Sequence, residues 1–293
     1  MPADRPLDPS LAPVRDLPVI AHLGRRWDPA WHRPHRLLRA LAAQAPLLLV
    51  DEPIVLDDVR RERLDVSEVS PGIWRALPRL QAYLREEERA ASTVCTLLQA
   101  AMRPDGALGG RFTGAVQWFA HASSAAEFLD ALGEAGVIFD CLAFATRDAL
   151  GVPERALLAR ADLVLASGEL ADALDAMHRA VLRIDEGVDL DRWATDDATA
   201  APADVAALPR PIAGYVGPVD DRLDHVLLRT VRERFPEGSV VLVGPPGRPP
   251  VGGVAAPLPD GVRWLGARDE AALPAYVRAF DACIFPLVAL ATT

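Results

Sequence analysis

The chain has 293 residues, 51% of them hydrophobic and 25% charged, with a formal net charge of -10. That balance excludes a disordered polar chain and supplies enough apolar content for two domains, each with its own core. The acidic excess disfavours nucleic acid and anionic membrane as partners, and every one of the 31 basic side chains is arginine.

Leu17–Leu23 reads as a short buried strand after a proline-rich leader, followed by a helix over about 34–43 with Leu37, Leu38 and Leu41 on one face. Leu47–Val50, closed by Asp51-Glu52-Pro53, suits a strand covered on both faces. Residues 64–77 read as a weak strand pair or irregular edge, and 84–102 as a long helix stopped by Arg103-Pro104-Asp105-Gly106. Strands at 116–119, 137–141, 163–166 and 181–184 then alternate with helices near 124–132, 154–160 and 167–178. Residues 194–208 lose that rhythm and read as a linker. Beyond it come strands at 212–216, 240–243, 262–265 and 282–285, with helices over 221–235 and 270–280. The alternation predicts α/β architecture in two Rossmann-like, doubly wound domains, 1–193 and 209–293. With about four strands and no closing helix after Leu287, the second domain is expected to be incomplete.

Cys95, Cys141 and Cys283 lie far apart without a CxxC pair, which argues against a disulfide framework or thiolate metal site and fits a reducing compartment. His32 and His35 have no acidic or cysteine companion at ligand spacing, so no metal is expected. No apolar run approaches the ~20 residues of a membrane helix, and no secretory pattern follows Met1. A cytoplasmic protein without a membrane span is expected, with peripheral membrane contact left open.

Ligands of parallel α/β sheets bind at the carboxyl ends of the strands. Three glycine-bearing loops take that position: His22–Arg26, Gly217–Arg222 and Gly244–Arg248. Glycine lets a phosphate approach the backbone, and arginine offers it a planar fork. There is no GxGxxG, GxxxxGK[ST] or GxSxG, which disfavours nicotinamide dehydrogenases, P-loop NTPases and acyl hydrolases. The cluster Arg25, Arg26, Arg33, Arg36 and Arg39 reads either as a solvated face or as facing phosphate. Asp140, ending an apolar strand, is either catalytic or the cap of the next turn.

Several segments carry a family resemblance. Trp27–Leu38, Val50-Asp51-Glu52-Pro53, Val137–Cys141, Ala161–Ser167 and Gly187–Trp193 are similar, in order, to motifs of bacterial group-1 (GT4-like) glycosyltransferases of the GT-B fold. Pro209–Asp224, Val241–Pro245, Val262–Gly266 and Phe280–Pro286 resemble that family's donor domain. The resemblance implies transfer of a sugar from a nucleotide-sugar donor to a glycan, lipid or small-molecule acceptor, as in cell-envelope polysaccharide synthesis. It implies no cofactor and no metal, the nucleotide sugar being the substrate. By position, Gly24, Gly217, Arg222 and Gly244 would approach the donor diphosphate, and Asp140 and His121 would serve the acceptor hydroxyl, one as base. The family's second acid is replaced around Ala143, and its donor helix with Lys and Glu would begin where this chain ends. A non-catalytic α/β binding protein derived from such an enzyme is the alternative reading, and a nucleotide-sugar epimerase a third.

Overall fold

The computed structural model describes residues 17–24, 33–57, 61–84, 87–123, 125–142, 150–185, 187, 190–193, 200–247 and 257–288. Arg25, Arg26, His32, Ser124, Ala143, Arg248 and residues 194–199 of the expected linker lie outside them, as does the Arg33 side chain. The chain divides into two compact units, Met1–Gly187 and Val188–Thr293.

In the first unit the described elements are β1 (Val19–His22), α1 (Arg33–Ala42), β2 (Leu47–Val50), β3 (Ile54–Leu56), β4 (Arg63–Ser70), β5 (Ile73–Gln81), α2 (Glu87–Met102), β6 (Val116–Phe119), α3 (Ala125–Phe128), β7 (Gly136–Asp140), α4 (Val152–Arg160), β8 (Leu163–Ala166), α5 (Gly168–Asp175) and β9 (Val181–Arg183). Among the described residues they build a 9-stranded sheet of order β3-β5-β2-β1-β6-β7-β8-β9, with β4 paired to β5. Only that β4–β5 pairing is antiparallel among the described pairs.

The apolar runs dictate this layering. Successive side chains of a strand point to opposite faces, and both faces are covered. Val19, Ala21, Leu47 and Leu49 pack with Leu38 of α1 on one side. Ile20, Leu48 and Phe119 pack with Leu98 of α2, Phe128 of α3, Leu157 of α4 and Leu174 of α5 on the other. Each fully buried aliphatic or aromatic side chain contributes roughly 1.5–3 kcal/mol, so the central strands hold the unit.

Three sequence expectations change here. Residues 63–81 form a hairpin whose second strand, β5, is internal and pairs with β2, β3 and β4. The helix expected to reach Leu132 ends at Phe128, because Asp130 turns left-handed (φ 61°) and carries the chain away from the helix. The helix expected to reach His178 ends at Asp175; His178 instead lies 2.9 Å through Nε2 from the Ala161 carbonyl, and its Nδ1 accepts the Ala180 N–H.

The second unit contains α6 (Leu190–Trp193), α7 (Ala203–Ala206), β10 (Ile212–Val216), α8 (His225–Arg234), β11 (Ser239–Val243), β12 (Val262–Trp264), α9 (Leu273–Ala279) and β13 (Ala282–Cys283). Its described strands form a parallel 4-stranded sheet of order β12-β11-β10-β13. Val205, Ile212, Val241, Tyr276 and Phe280 fill one side; Tyr215, Leu223, Leu228 and Leu242 fill the other. α8 starts four residues later than expected. The Asp224 carboxylate accepts the Val226 and Leu227 amides at 2.9 Å each, a cap worth about 1 kcal/mol.

The described half of the expected linker is folded into this unit. Val205 is fully buried, and Asp204 accepts the Tyr276 hydroxyl at 2.9 Å and Arg268 Nη2 at 2.7 Å. Burial pushes the Asp204 carboxyl up, but Arg268 and Tyr276 outweigh it and hold the group below its ordinary value.

Candidate functional site

A parallel sheet opens a crevice where the strand order reverses, because the loops on either side leave in opposite directions. In the first unit that point falls between β1 and β6: the chain proceeds from β1 outward through β2, then returns across it to β6. The loops leaving these two strands carry Gly24 and His121.

The structure brings these two residues into contact. Gly24 has φ 62°, and a Cβ there would stand 2.7 Å from the His121 Cβ and 2.9 Å from its Cγ. His121 is exposed, and its Nδ1 accepts the Ser123 amide at 3.3 Å and lies 2.8 Å from the Ser123 hydroxyl. An amide only donates, so in the neutral ring the proton sits on Nε2. His121 therefore offers a hydrogen-bond donor at Nε2, and the base role expected of it does not follow from this arrangement.

Beneath this pair lies a residue whose importance the sequence reading missed. His22 is buried at the end of β1, with Nε2 2.9 Å from Gln117 Oε1. Gln117 in turn donates to the Phe128 carbonyl at 3.0 Å, which fixes its Oε1 as acceptor and His22 Nε2 as donor. The imidazole stacks on Phe119 at 4.5 Å with a 9° interplanar angle, and packs against Phe128. Burial drives its pKa down to about 4, against the opposing effect of the hydrogen bond it donates to Gln117. A neutral imidazole thus ties β1 to β6 and, through Gln117, to the end of α3. The one visible signal was a histidine ending an apolar strand.

Asp140 ends β7 with no exposed surface, and the next residue, Cys141, donates its amide to the Leu165 carbonyl at 2.8 Å. An acceptor hydroxyl does not reach a carboxylate so placed, so the direct base role expected of Asp140 is not supported by this conformation. Asp51, after β2, is also buried, with Arg75 Nη2 2.5 Å from its Oδ2. Of the arginine cluster, the described Arg36 donates to the Gly187 carbonyl at 2.9 Å.

In the second unit the order reverses between β10 and β13. Gly217 follows β10 and Gly244 follows β11, and the two backbones touch: a Cβ on Gly244 would lie 1.9 Å from the Gly217 oxygen. Both amides are already committed. Gly217 donates to Val243 and Gly244 to Gly266, each at 2.9 Å. Further along, Val219 donates to Pro245 and Gly247 to Val219, so the two loops are laced together. The amides of Gly217 and Gly244 stitch strand ends rather than point to a phosphate.

Arg222 is engaged as well. Its Nη2 lies 2.7 Å from Asp220 Oδ2 and its Nε 3.0 Å from Oδ1, a two-point pair with a carboxylate whose side chain is 5% exposed. Arg222 holds the Asp220 carboxyl below its ordinary range, and Asp220 raises the guanidinium in return. Among the described residues no group of three or more His, Cys, Asp or Glu side chains is arranged to hold a metal ion, and no helix is long and apolar enough to cross a membrane.

No family model matches the chain, and comparison with curated proteins gives no match. Solved structures do share its fold. A trehalose-6-phosphate synthase from E. coli bound with UDP-2-fluoro glucose is 16% identical, with TM-score 0.58 over 92% of this chain and 78% of that one. An α,α-trehalose-phosphate synthase (UDP-forming) from Burkholderia xenovorans in complex with glucose-6-phosphate is 14% identical, with TM-score 0.61 over 92% and 79%. The chain is thus an α/β protein with the Rossmann-like layers of the GT-B fold.

Proposed function

We propose that this protein is a glycosyltransferase that moves a sugar from a nucleotide-sugar donor to a hydroxyl acceptor, the second unit meeting the donor and the first the acceptor. The observation that carries the reading is the Gly24–His121 contact at the strand-order reversal of the first sheet. It occurs in a fold shared with a structure that holds a UDP-sugar analogue. A glycine beside an exposed histidine donor at such a crevice supplies groups that a phosphate-bearing ligand can use. The order of sequence motifs supports the narrower placement among group-1, GT4-like enzymes.

In this reading Gly24 gives the diphosphate access to the backbone and His121 Nε2–H donates to a ligand oxygen. Arg222 offers its fork to a diphosphate only if that fork is shared with, or released from, Asp220. Gly217 and Gly244 keep their loops close enough to present Arg222. The experiment is incubation of the full chain with UDP- and GDP-sugars and an acceptor panel, followed by product analysis. A glycoside and free nucleoside diphosphate support the reading. Failure of every nucleotide sugar to bind overturns it.

The two-point hold of Asp220 on Arg222 and the burial of Asp140 favour a second reading, a binding protein of the same fold without transfer chemistry. Saturable nucleotide-sugar binding with no product formed would support it.

A further inference from the structure

We propose that the acceptor is an alcohol with an apolar body, and that this body occupies the groove between α3 and α4 beside His121. The proposal rests on the transferase reading above. The groove has a volume of about 410 Å³, within the range of small-molecule sites. Its walls include Ala122, Ala126 and Leu129 on one side and Val152, Ala156 and Leu157 on the other. The two facing helices present Ala126 and Ala156, both exposed, where larger side chains would have closed the space.

The polar groups of the groove indicate which end of the acceptor goes where. Ser123 lines it, and its hydroxyl lies 2.8 Å from Nδ1 of His121, the residue that packs against Gly24. Two charged residues also line it. Arg160 is held by Asp130 at 2.5 Å, and Glu127 is acidic. A phosphate would meet a neutralised cation and a carboxylate, whereas an alkyl or aryl body would meet alanine, leucine and valine. This sets the chain apart from its structural neighbour in complex with glucose-6-phosphate.

In the transfer step the acceptor hydroxyl oxygen bonds to the anomeric carbon while the bond from that carbon to the diphosphate oxygen breaks. The leaving nucleoside diphosphate takes the electron pair and receives the hydroxyl proton.

The test uses the full chain and three acceptor probes: octyl β-glucoside below its micelle-forming concentration, methyl β-glucoside and glucose-6-phosphate. Calorimetric titration is expected to show octyl glucoside binding at least tenfold tighter than the other two. Ala126→Trp and Ala156→Trp, each filling the groove from an exposed position, are expected to weaken it at least tenfold. Equal binding of octyl and methyl glucosides, or unchanged octyl glucoside affinity in both variants, overturns the proposal. Nucleotide release from UDP- and GDP-sugars separates the two readings. If octyl glucoside binds as expected yet accelerates no release, the transferase reading falls and the groove loses its role as acceptor site. If glucose-6-phosphate accelerates release as well as octyl glucoside does, the transferase reading stands and the apolar acceptor is overturned.

Discussion

Gly24 and His121 share a space that admits only one side chain: a Cβ on Gly24 would stand 2.7 Å from the Cβ of His121. The left-handed φ of 62° at Gly24 adds a second constraint of a different kind, since it acts on the backbone rather than on contact. Gly24→Ala is therefore expected to destabilise the first unit by roughly 1–3 kcal/mol and to displace His121. Urea unfolding checks the first effect and nucleotide-sugar turnover the second. A variant as stable and as active as the parent would remove both constraints from consideration.

His22 predicts a pH dependence. Its folded pKa of about 4 lies below the ordinary value of 6.5, so between these values the unfolded chain binds a proton that the folded chain refuses. Stability is then complete above about pH 6.5 and falls as pH drops toward 4, by on the order of 3 kcal/mol. His22→Gln, which retains a donor for Gln117, should flatten that part of the profile. Urea midpoints measured from pH 4.5 to 7.5 decide it, and equal slopes in the two proteins would rule out His22 as the source.

The Asp220–Arg222 pair makes opposite predictions for its two members. Asp220→Asn keeps the shape but releases the arginine fork, and is expected to tighten UDP binding several-fold. Arg222→Ala removes the fork and is expected to weaken UDP binding about tenfold, as loss of one charge-assisted contact would. Calorimetric titration with UDP tests both. Identical affinities in all three proteins would place the diphosphate elsewhere.

Tyr276→Phe tests the joint between α7 and α9. It keeps the buried ring but deletes the hydroxyl that donates to Asp204 and accepts from Arg268 Nε at 2.7 Å. A loss of about 1–2 kcal/mol is expected. An unchanged thermal midpoint would show that Asp204 and Arg268 hold α7 without it.

Apart from β3, at which no strand was expected, the parallel strands were legible because a strand buried on both faces leaves an uninterrupted apolar run, as in Leu47–Val50. β5 was not. Trp74, Arg75, Pro78 and Arg79 interrupt its pattern, yet its backbone pairs on both sides. The folded part of 200–208 was hidden because Val205 and Asp204 find their partners, Tyr276 and Arg268, far along the chain. At the candidate site, residue type and strand-end position singled out Gly24 and Arg222, whereas His121 came only from the family resemblance. Partnership was invisible: sequence shows that Arg222 can grip a carboxylate or a phosphate, but not that Asp220 already sits within 2.7 Å.

The His22–Gln117 bond joins residues 95 apart in the chain. The strand pair that creates the crevice therefore closes a long loop, with α1, β2, β3, β4, β5 and α2 inside it. Loop closure of that length carries an entropic penalty recovered only when the enclosed layers also pack. The end of the first sheet at its strand-order reversal is consequently gained and lost with the unit as a whole. Hydrogen exchange at the Ala120 amide, which donates to the His22 carbonyl, should report the unit's global unfolding rather than a local fluctuation of its rim.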